Sequence, residues 1–341
     1  MSRRALTLLL ASLLALGLTL TAAVATVPYV ALGPGPTYDT LGEVDGTPVL
    51  EIEGREVFPT EGQLDLTTVG VQPSLTLAQA LQGWFARDLA VVPREVVFPA
   101  GQTDEEVDAE NAAAMAASQS DAVGAAAREL GLEPEIVVAE VNDDSPAEGL
   151  LEVGDVLTAV DGTPVADADA LRARISDREP GDPVTISYVR DGEAATVEVV
   201  TGRATADGAT RPVVGVLPQE QYPLDVTINL EDVGGPSAGL MFALGILDKL
   251  GEESLTGGDH VAGTGEISPD GTVGPIGGIT QKLIAAGRKD VDVFLVPEAN
   301  CAEAVRNPPD GLVLASVGTL DDALEALDAV RSGETPVGCD A

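Results

Sequence analysis

The longest apolar run comes first. Leu6 to Val30 carries no charge and follows a short basic stretch, Met1 to Arg4. As a helix it is long enough to span about 30 Å of hydrocarbon, and the arginines predict a cytoplasmic N-terminus with the remainder outside. Ala23-Val24-Ala25 also fits the small-x-small pattern of a cleaved export signal. Either way the body of the protein is exported. Beyond this run, Val49 to Ile52 and Gln63 to Val71 alternate as strands do. Ser74 to Phe85 has helical spacing, with Leu77, Leu81 and Phe85 on one face and Ser74 placed to cap it. Thr103 to Leu130 is acidic and alanine-rich and predicts a long helix, which contains Met115-Ala116-Ala117-Ser118-Gln119.

The pattern then changes to a small β-rich unit. Ile136 to Val141 predicts a strand, and Ser145 to Leu150 a turn into a short helix. Gly154 to Gly162 predicts a strand closed by an Asp-Gly turn, and Ala168 to Ile175 a helix. Val184 to Arg190 and Ala195 to Val200 form a hairpin around Asp191-Gly192. The series Ser-Pro-Ala, Leu-x-x-Gly-Asp-Val-Leu and Val-Asp-Gly resembles the PDZ domains of bacterial periplasmic proteases. That resemblance implies a β-rich domain with two helices that takes an extended peptide on a sheet edge. It places the carboxylate-binding loop near Gly131-Leu132-Glu133-Pro134. A PDZ that only orients or occludes the neighbouring site is the alternative.

Charge and composition narrow the function. The 341 residues carry 56 acidic and 18 basic side chains, a net charge of −38. Phosphate backbones require Lys/Arg clusters, so nucleic acid is excluded as a partner. Lysine is scarce, occurring only at 249, 282 and 289. The two cysteines, Cys301 and Cys339, allow one intramolecular pairing. An oxidising compartment predicts a disulfide between them, with two separate thiols as the alternative. One histidine and no His-Glu-x-x-His leave no metal site and no cofactor to expect.

Two segments carry chemistry. In Gly234 to Gly239, Pro236 suits the first position of a helix and Ser237 follows it, ahead of the apolar run Ala238 to Leu247. Unpaired backbone amides at such a helix start, those of Gly235 and Ala238 here, suit an oxyanion. A serine capping a core helix is the equal alternative from this segment alone. In Gly278 to Ala286, Lys282 is surrounded by Ile279, Leu283, Ile284, Ala285 and Ala286. Apolar burial lowers the pKa of a lysine and lets it act as a base. The rival base, His260, lies in the polar loop Gly257 to His260 and is expected to be a solvated turn residue.

Taken in order, Pro-Ser-Ala-Gly, Gly263-Thr264-Gly265-Glu266-Ile267, Pro275-Ile276-Gly277-Gly278 and Gln281 to Ala286 resemble the proteolytic domain of Lon proteases. The resemblance implies Ser237 as nucleophile, Lys282 as general base and Thr264 as the hydroxyl that orients the lysine. It also implies assembly into rings. ATP-dependent Lon proteases often carry Asp where this chain has Gly234, and Asp232 is out of register. No Gly-x-x-x-x-Gly-Lys-Ser/Thr nucleotide loop is present, so no ATP is expected. Anchor, PDZ and Lon-like segments together resemble the membrane-anchored, ATP-independent Lon-like peptidases of Gram-positive, actinobacterial type.

The expected architecture is α+β: a Lon-type proteolytic domain plus a PDZ domain, preceded by one N-terminal transmembrane helix. Residues 1–30 form the anchor, 31–127 the first part of the Lon-like fold with an alanine-rich helix, 128–202 the PDZ domain, and 203–341 the proteolytic domain. Val49 to Phe85 resembles the first strands and helix of a Lon domain, which inserts the PDZ into the catalytic fold. The expected function is an extracytoplasmic serine endopeptidase acting on peptides or unfolded segments. A catalytically inactive, membrane-tethered PDZ adaptor is the alternative.

Overall fold

Strand-forming runs from both ends of the sequence meet in one sheet. The computed structural model describes residues 3–99, 101–206, 209–230 and 233–339. The chain divides into two compact units, Met1–Ala126 with Asp225–Ala341, and Ala127–Leu224. The second unit is thus inserted, in sequence, into the first.

The first unit is built on strands β1 (Tyr29–Asp39), β2 (Gln63–Gln72), β3 (Ala90–Pro93), β4 (His260–Gly263), β5 (Val293–Pro297) and β6 (Val313–Val317). Their order across the sheet is β6-β5-β4-β2-β1-β3. β4 runs parallel to both β2 and β5, and β5 to β6, whereas β1 is antiparallel to β2 and β3. Val293-Phe294-Leu295-Val296 in β5 is a continuous apolar run and is buried throughout, as a parallel strand covered on both faces requires. β4 pairs with β2 only from His260↔Gln63 to Gly263↔Leu66. Beyond that point Thr67 Oγ1 donates to the Gly263 carbonyl at 3.2 Å, at the carboxyl end of β4.

The longer helices described in this unit are α1 (Arg3–Val24), α2 (Leu77–Phe85), α3 (Asp104–Glu129, whose last turn enters the second unit), α4 (Gly239–Leu250), α5 (Ile279–Gly287) and α6 (Leu320–Arg331), and Cys301–Ala304 adds a single turn. Helix α2 starts later than its spacing predicts. Leu75-Thr76 pairs as a short strand with Thr26-Val27, so Ser74 cannot cap the helix. Thr76 does so instead: its hydroxyl accepts from the Gln79 amide, and Gln79 Oε1 accepts from the Thr76 amide at 2.8 Å. In α1, Leu8, Leu14, Leu18 and Leu20 are 62–68% exposed. Among the described residues no helix is long and apolar enough to cross a membrane.

The second unit has a sheet in the order Glu193–Val200, Pro183–Arg190, Val156–Val160, Glu135–Val141, Val216–Gln221. Ile136, Val138, Leu157, Leu171 and Ile186 lie in its core. The unit runs past residue 202 because Val216–Gln221 pairs antiparallel with Glu135–Val141. Two helices were expected in the PDZ-like region, but among the described residues only Ala168–Ser176 lies wholly within this unit. Ser145 to Leu150 closes a single turn, with the Leu150 and Leu151 amides both donating to the Ala147 carbonyl. Gly149, at φ +70°, stops it there. Gly131 to Pro134 leads into Glu135–Val141, an interior strand. It therefore does not introduce a free edge, as the expected carboxylate loop must. The edge strand beside the helix is Val216–Gln221, and its Glu220 accepts from the Ala168 amide at 3.1 Å.

Cys301 and Cys339 form a disulfide with their Cα atoms 5.1 Å apart. It fastens the turn after β5 to the segment that bridges β6 at Ala315↔Gly338.

Candidate active site

Two chain reversals bring Ser237 and Lys282 together. The first precedes α4. Pro236 does not open that helix: the first helical residue is Gly239, its N-cap is Ala238, and Ser237 lies in the turn before it. The reason is a competing set of bonds. The Ser237 carbonyl accepts from the Gly265 amide at 2.9 Å and from Thr264 Oγ1 at 2.9 Å, which keeps it out of the helical ladder. The Leu240 amide donates back to the Gly265 carbonyl at 3.1 Å. Gly265 thus grips the serine turn from both sides. A Cβ at that position would lie 3.0 Å from Val273 Cγ1 and 3.2 Å from Leu240 Cβ, so the close approach depends on glycine.

The second reversal is at Gly278, at φ 71° and ψ 32°, from which α5 starts. Lys282 follows in the first turns, and its amide donates to the Gly278 carbonyl. Its side chain is 2% exposed. The ammonium nitrogen bonds two hydroxyls, Ser237 Oγ at 2.8 Å and Thr264 Oγ1 at 2.8 Å. Neither partner is an anion, so nothing offsets the loss of hydration. Burial accordingly pushes the Lys282 pKa down from 10.5 to about 7.

Thr264 is fully buried and follows directly on the end of β4. Its one hydroxyl proton is donated to the Ser237 carbonyl, so toward Lys282 its oxygen can only accept. A neutral Lys282 amine that donates to Thr264 has its lone pair free for the Ser237 hydroxyl proton. The cluster therefore has a built-in direction of proton flow, from serine to lysine.

The backbone donors differ from those expected. The Gly235 amide donates to the Asn111 carbonyl at 3.0 Å and so is already committed. Among the described residues, the amides of Ser237 and Ala238 have no such acceptor. Asp232 lies outside the described residues. Gly234 faces α3, where a Cβ would sit 3.1 Å from Asn111 Cβ. The helix fills the space that an aspartate there would need.

His260 is not a solvated turn residue. It begins β4 and is half-buried, with Nε2 3.2 Å from Asp65 Oδ2. It sits at the opposite end of β4 from Thr264, ~13 Å along the strand, so it does not join Ser237.

Ser237 and Lys282 open into a cleft of about 430 Å³ lined by Pro36, Tyr38, Thr67–Gly70, Val233, Pro236, Glu266 and Ile276, among others. Sequence reasoning did not find the β1 and β2 contribution to this cleft, or the contacts of α3 with the serine turn.

Comparison with known proteins agrees with this layout. Residues 116–201 match the PDZ domain, and residues 230–327 match the Lon protease (S16) C-terminal proteolytic domain. Lon protease from Campylobacter jejuni is 32% identical over 118 residues, 33% of this chain and 15% of that protein. Lon protease from Clostridioides difficile is 35% identical over 103 residues, 29% of this chain and 13% of that protein. Lon protease 2 from Bacillus subtilis is 31% identical over 131 residues, 37% of this chain and 23% of that protein. The chain thus spans less than a quarter of the length of these relatives. Among solved structures, the PDZ domain of the SdrC-like protein from Listeria innocua is 26% identical, covering 25% of this chain and 93% of that one, with a TM-score of 0.23. This chain therefore joins a region similar to PDZ domains to one similar to the proteolytic domain of Lon proteases, and Ser237, Thr264 and Lys282 all lie in the latter.

Proposed function

We propose that the protein is an ATP-independent serine endopeptidase with a Ser237–Lys282 dyad, acting outside the cytoplasm on extended peptides and unfolded segments. The observation that carries this is the buried Lys282 nitrogen, 2.8 Å from Ser237 Oγ and with a pKa near 7. Neutral Lys282 takes the hydroxyl proton as Ser237 Oγ attacks the peptide carbonyl carbon. The oxyanion faces the Ser237 and Ala238 amides. As the tetrahedral intermediate collapses, the Lys282 ammonium gives its proton to the leaving amine and an ester to Ser237 remains. Water, deprotonated by Lys282, then cleaves that ester and restores the serine. Thr264 positions the lysine throughout.

The edge strand Val216–Gln221, beside helix Ala168–Ser176, suits an incoming peptide strand. The uncharged run from Leu6 to Val30, behind Arg3 and Arg4, is the sequence feature that supports a single membrane anchor. The disulfide is in keeping with an oxidising compartment. The test is cleavage of unstructured peptides by the wild type, S237A and K282R. Arginine keeps the charge but does not deprotonate, so both variants are expected to be inactive. Normal turnover by both would refute the dyad.

A further inference from the structure

We infer that Ser118, on the long acidic helix, is a positioning residue that aims the backbone amide of the nucleophile; this rests on the dyad proposed above. Ser118 is 3% exposed, and its hydroxyl donates to the Pro236 carbonyl at 2.9 Å. That carbonyl belongs to the peptide unit whose N–H is that of Ser237. In a trans peptide the C=O and N–H point to opposite sides. Holding the carbonyl against α3 therefore turns the Ser237 N–H away from the helix.

The next peptide unit is held in the same way by a different element. The Ser237 carbonyl is bound by Thr264 Oγ1 and the Gly265 amide, which turns the Ala238 N–H away from Thr264 and Gly265. The two units flanking the nucleophile thus each have one buried hydroxyl on their carbonyl. Thr264 also serves the lysine; Ser118 has only the backbone to hold. Two turns earlier on α3, the Asn111 carbonyl takes the Gly235 amide at 3.0 Å. Helix α3 therefore supports the turn at two points.

The glycines of the turn fit this contact. A Cβ at Gly239 would sit 2.8 Å from Ser118 Oγ, and one at Gly234 would sit 3.1 Å from Asn111 Cβ. Side chains at either position would push the helix off the turn. Misaiming one donor at the developing charge is costly on its own.

The experiment is steady-state cleavage by the full-length chain of a fluorogenic peptide whose hydrolysis S237A abolishes. It compares the wild type, S118A, S118C and S118T over pH 5 to 9. S118A is expected to lose about 10- to 100-fold in kcat, with KM and the midpoint of the acid limb unmoved. The affinity of a peptide aldehyde, which mimics the tetrahedral state, is expected to fall in parallel. S118T, which keeps the hydroxyl, is expected to recover kcat. S118C, close in size but a weak donor, is expected to fall between and carries the test if S118A does not fold. Unchanged kcat in S118A and S118C overturns the positioning role. So does a loss accompanied by a shifted acid limb, or one that S118T leaves uncorrected. Wild-type protein without Ser237-dependent cleavage would overturn the proposed function, and this inference with it.

Discussion

Replacing Lys282 with methionine should make the protein more resistant to unfolding near neutral pH, and less conspicuously so in alkali. Methionine keeps the length of the side chain and removes the amine. The lysine has a folded-state pKa near 7 against an ordinary 10.5, a difference worth about 5 kcal/mol. The folded value is the lower one, so the unfolded chain binds more protons between the two and stability rises with pH across that window. The cost of the lysine is complete below pH 7 and vanishes above 10.5. Integrating between pH 7 and 9, the wild type gains about 2 kcal/mol that the variant does not. The hydrogen bonds to Ser237 and Thr264 are lost in the variant at every pH, so they shift its stability without changing this slope. Urea titrations of wild type and K282M at pH 7 and pH 9, followed by far-UV circular dichroism, give the two differences. The inserted unit unfolds equally in both proteins and cancels. A wild-type-minus-variant difference that stays constant between pH 7 and 9 would show that Lys282 is not buried in a neutral form, and the base assignment would fall.

Cleavage itself should follow the same proton: kcat/KM rises about tenfold per pH unit below pH 6 and levels off through about 7, read from initial rates in a constant-ionic-strength buffer series. Thr264→Val removes both the grip on the Ser237 carbonyl and the acceptor for Lys282, and should lower kcat by about 10- to 100-fold, whereas Thr264→Ser should retain most activity. The double replacement Cys301→Ser/Cys339→Ser should cost about 3–4 kcal/mol in unfolding free energy while leaving the turnover of folded enzyme unchanged, measured by urea titration and active-site titration. On the proposed anchoring, Leu14→Asp with Leu18→Asp in α1 should move the protein from the carbonate-resistant to the extractable fraction; an unchanged distribution would count against α1 as the anchor.

The chemistry was more legible than the scaffold. Ser237 and Lys282 stand out because each lies in a short segment of unusual composition, whereas Thr264 is reached only through the resemblance to Lon proteases. Helix α4 starts three residues later than Pro236 predicts, because Pro236 satisfies helix-start chemistry and the long-range bonds from Thr264 and Gly265 prevent it. Gly235 was a reasonable oxyanion donor until α3 claimed its amide. The cap of α2 moved from Ser74 to Thr76 because a strand from Thr26–Val27 pairs there. In each case the deciding partner is distant in sequence, and periodicity contains no information about it. His260 shows the opposite limit: its polar, glycine-rich neighbours are those of a turn, yet the parallel pairing with Gln63 draws it into a strand.

The inserted unit has a consequence for how the chain reaches its fold. Strand β2 must find β4, and the whole second unit lies between them in sequence. The ends of that unit are neighbours, because Glu135 pairs with Gln221. Once it is folded, the outer chain therefore sees a short tether in its place. The connection between β2 and β4 is residues 73–259, of which the inserted unit is 127–224; folding that unit about halves the effective loop, which favours assembly of the outer sheet by about 0.6 kcal/mol. A β-rich unit that folds first therefore helps β1 to β3 meet β4, whereas the serine turn and the lysine, both downstream of it, need no such closure.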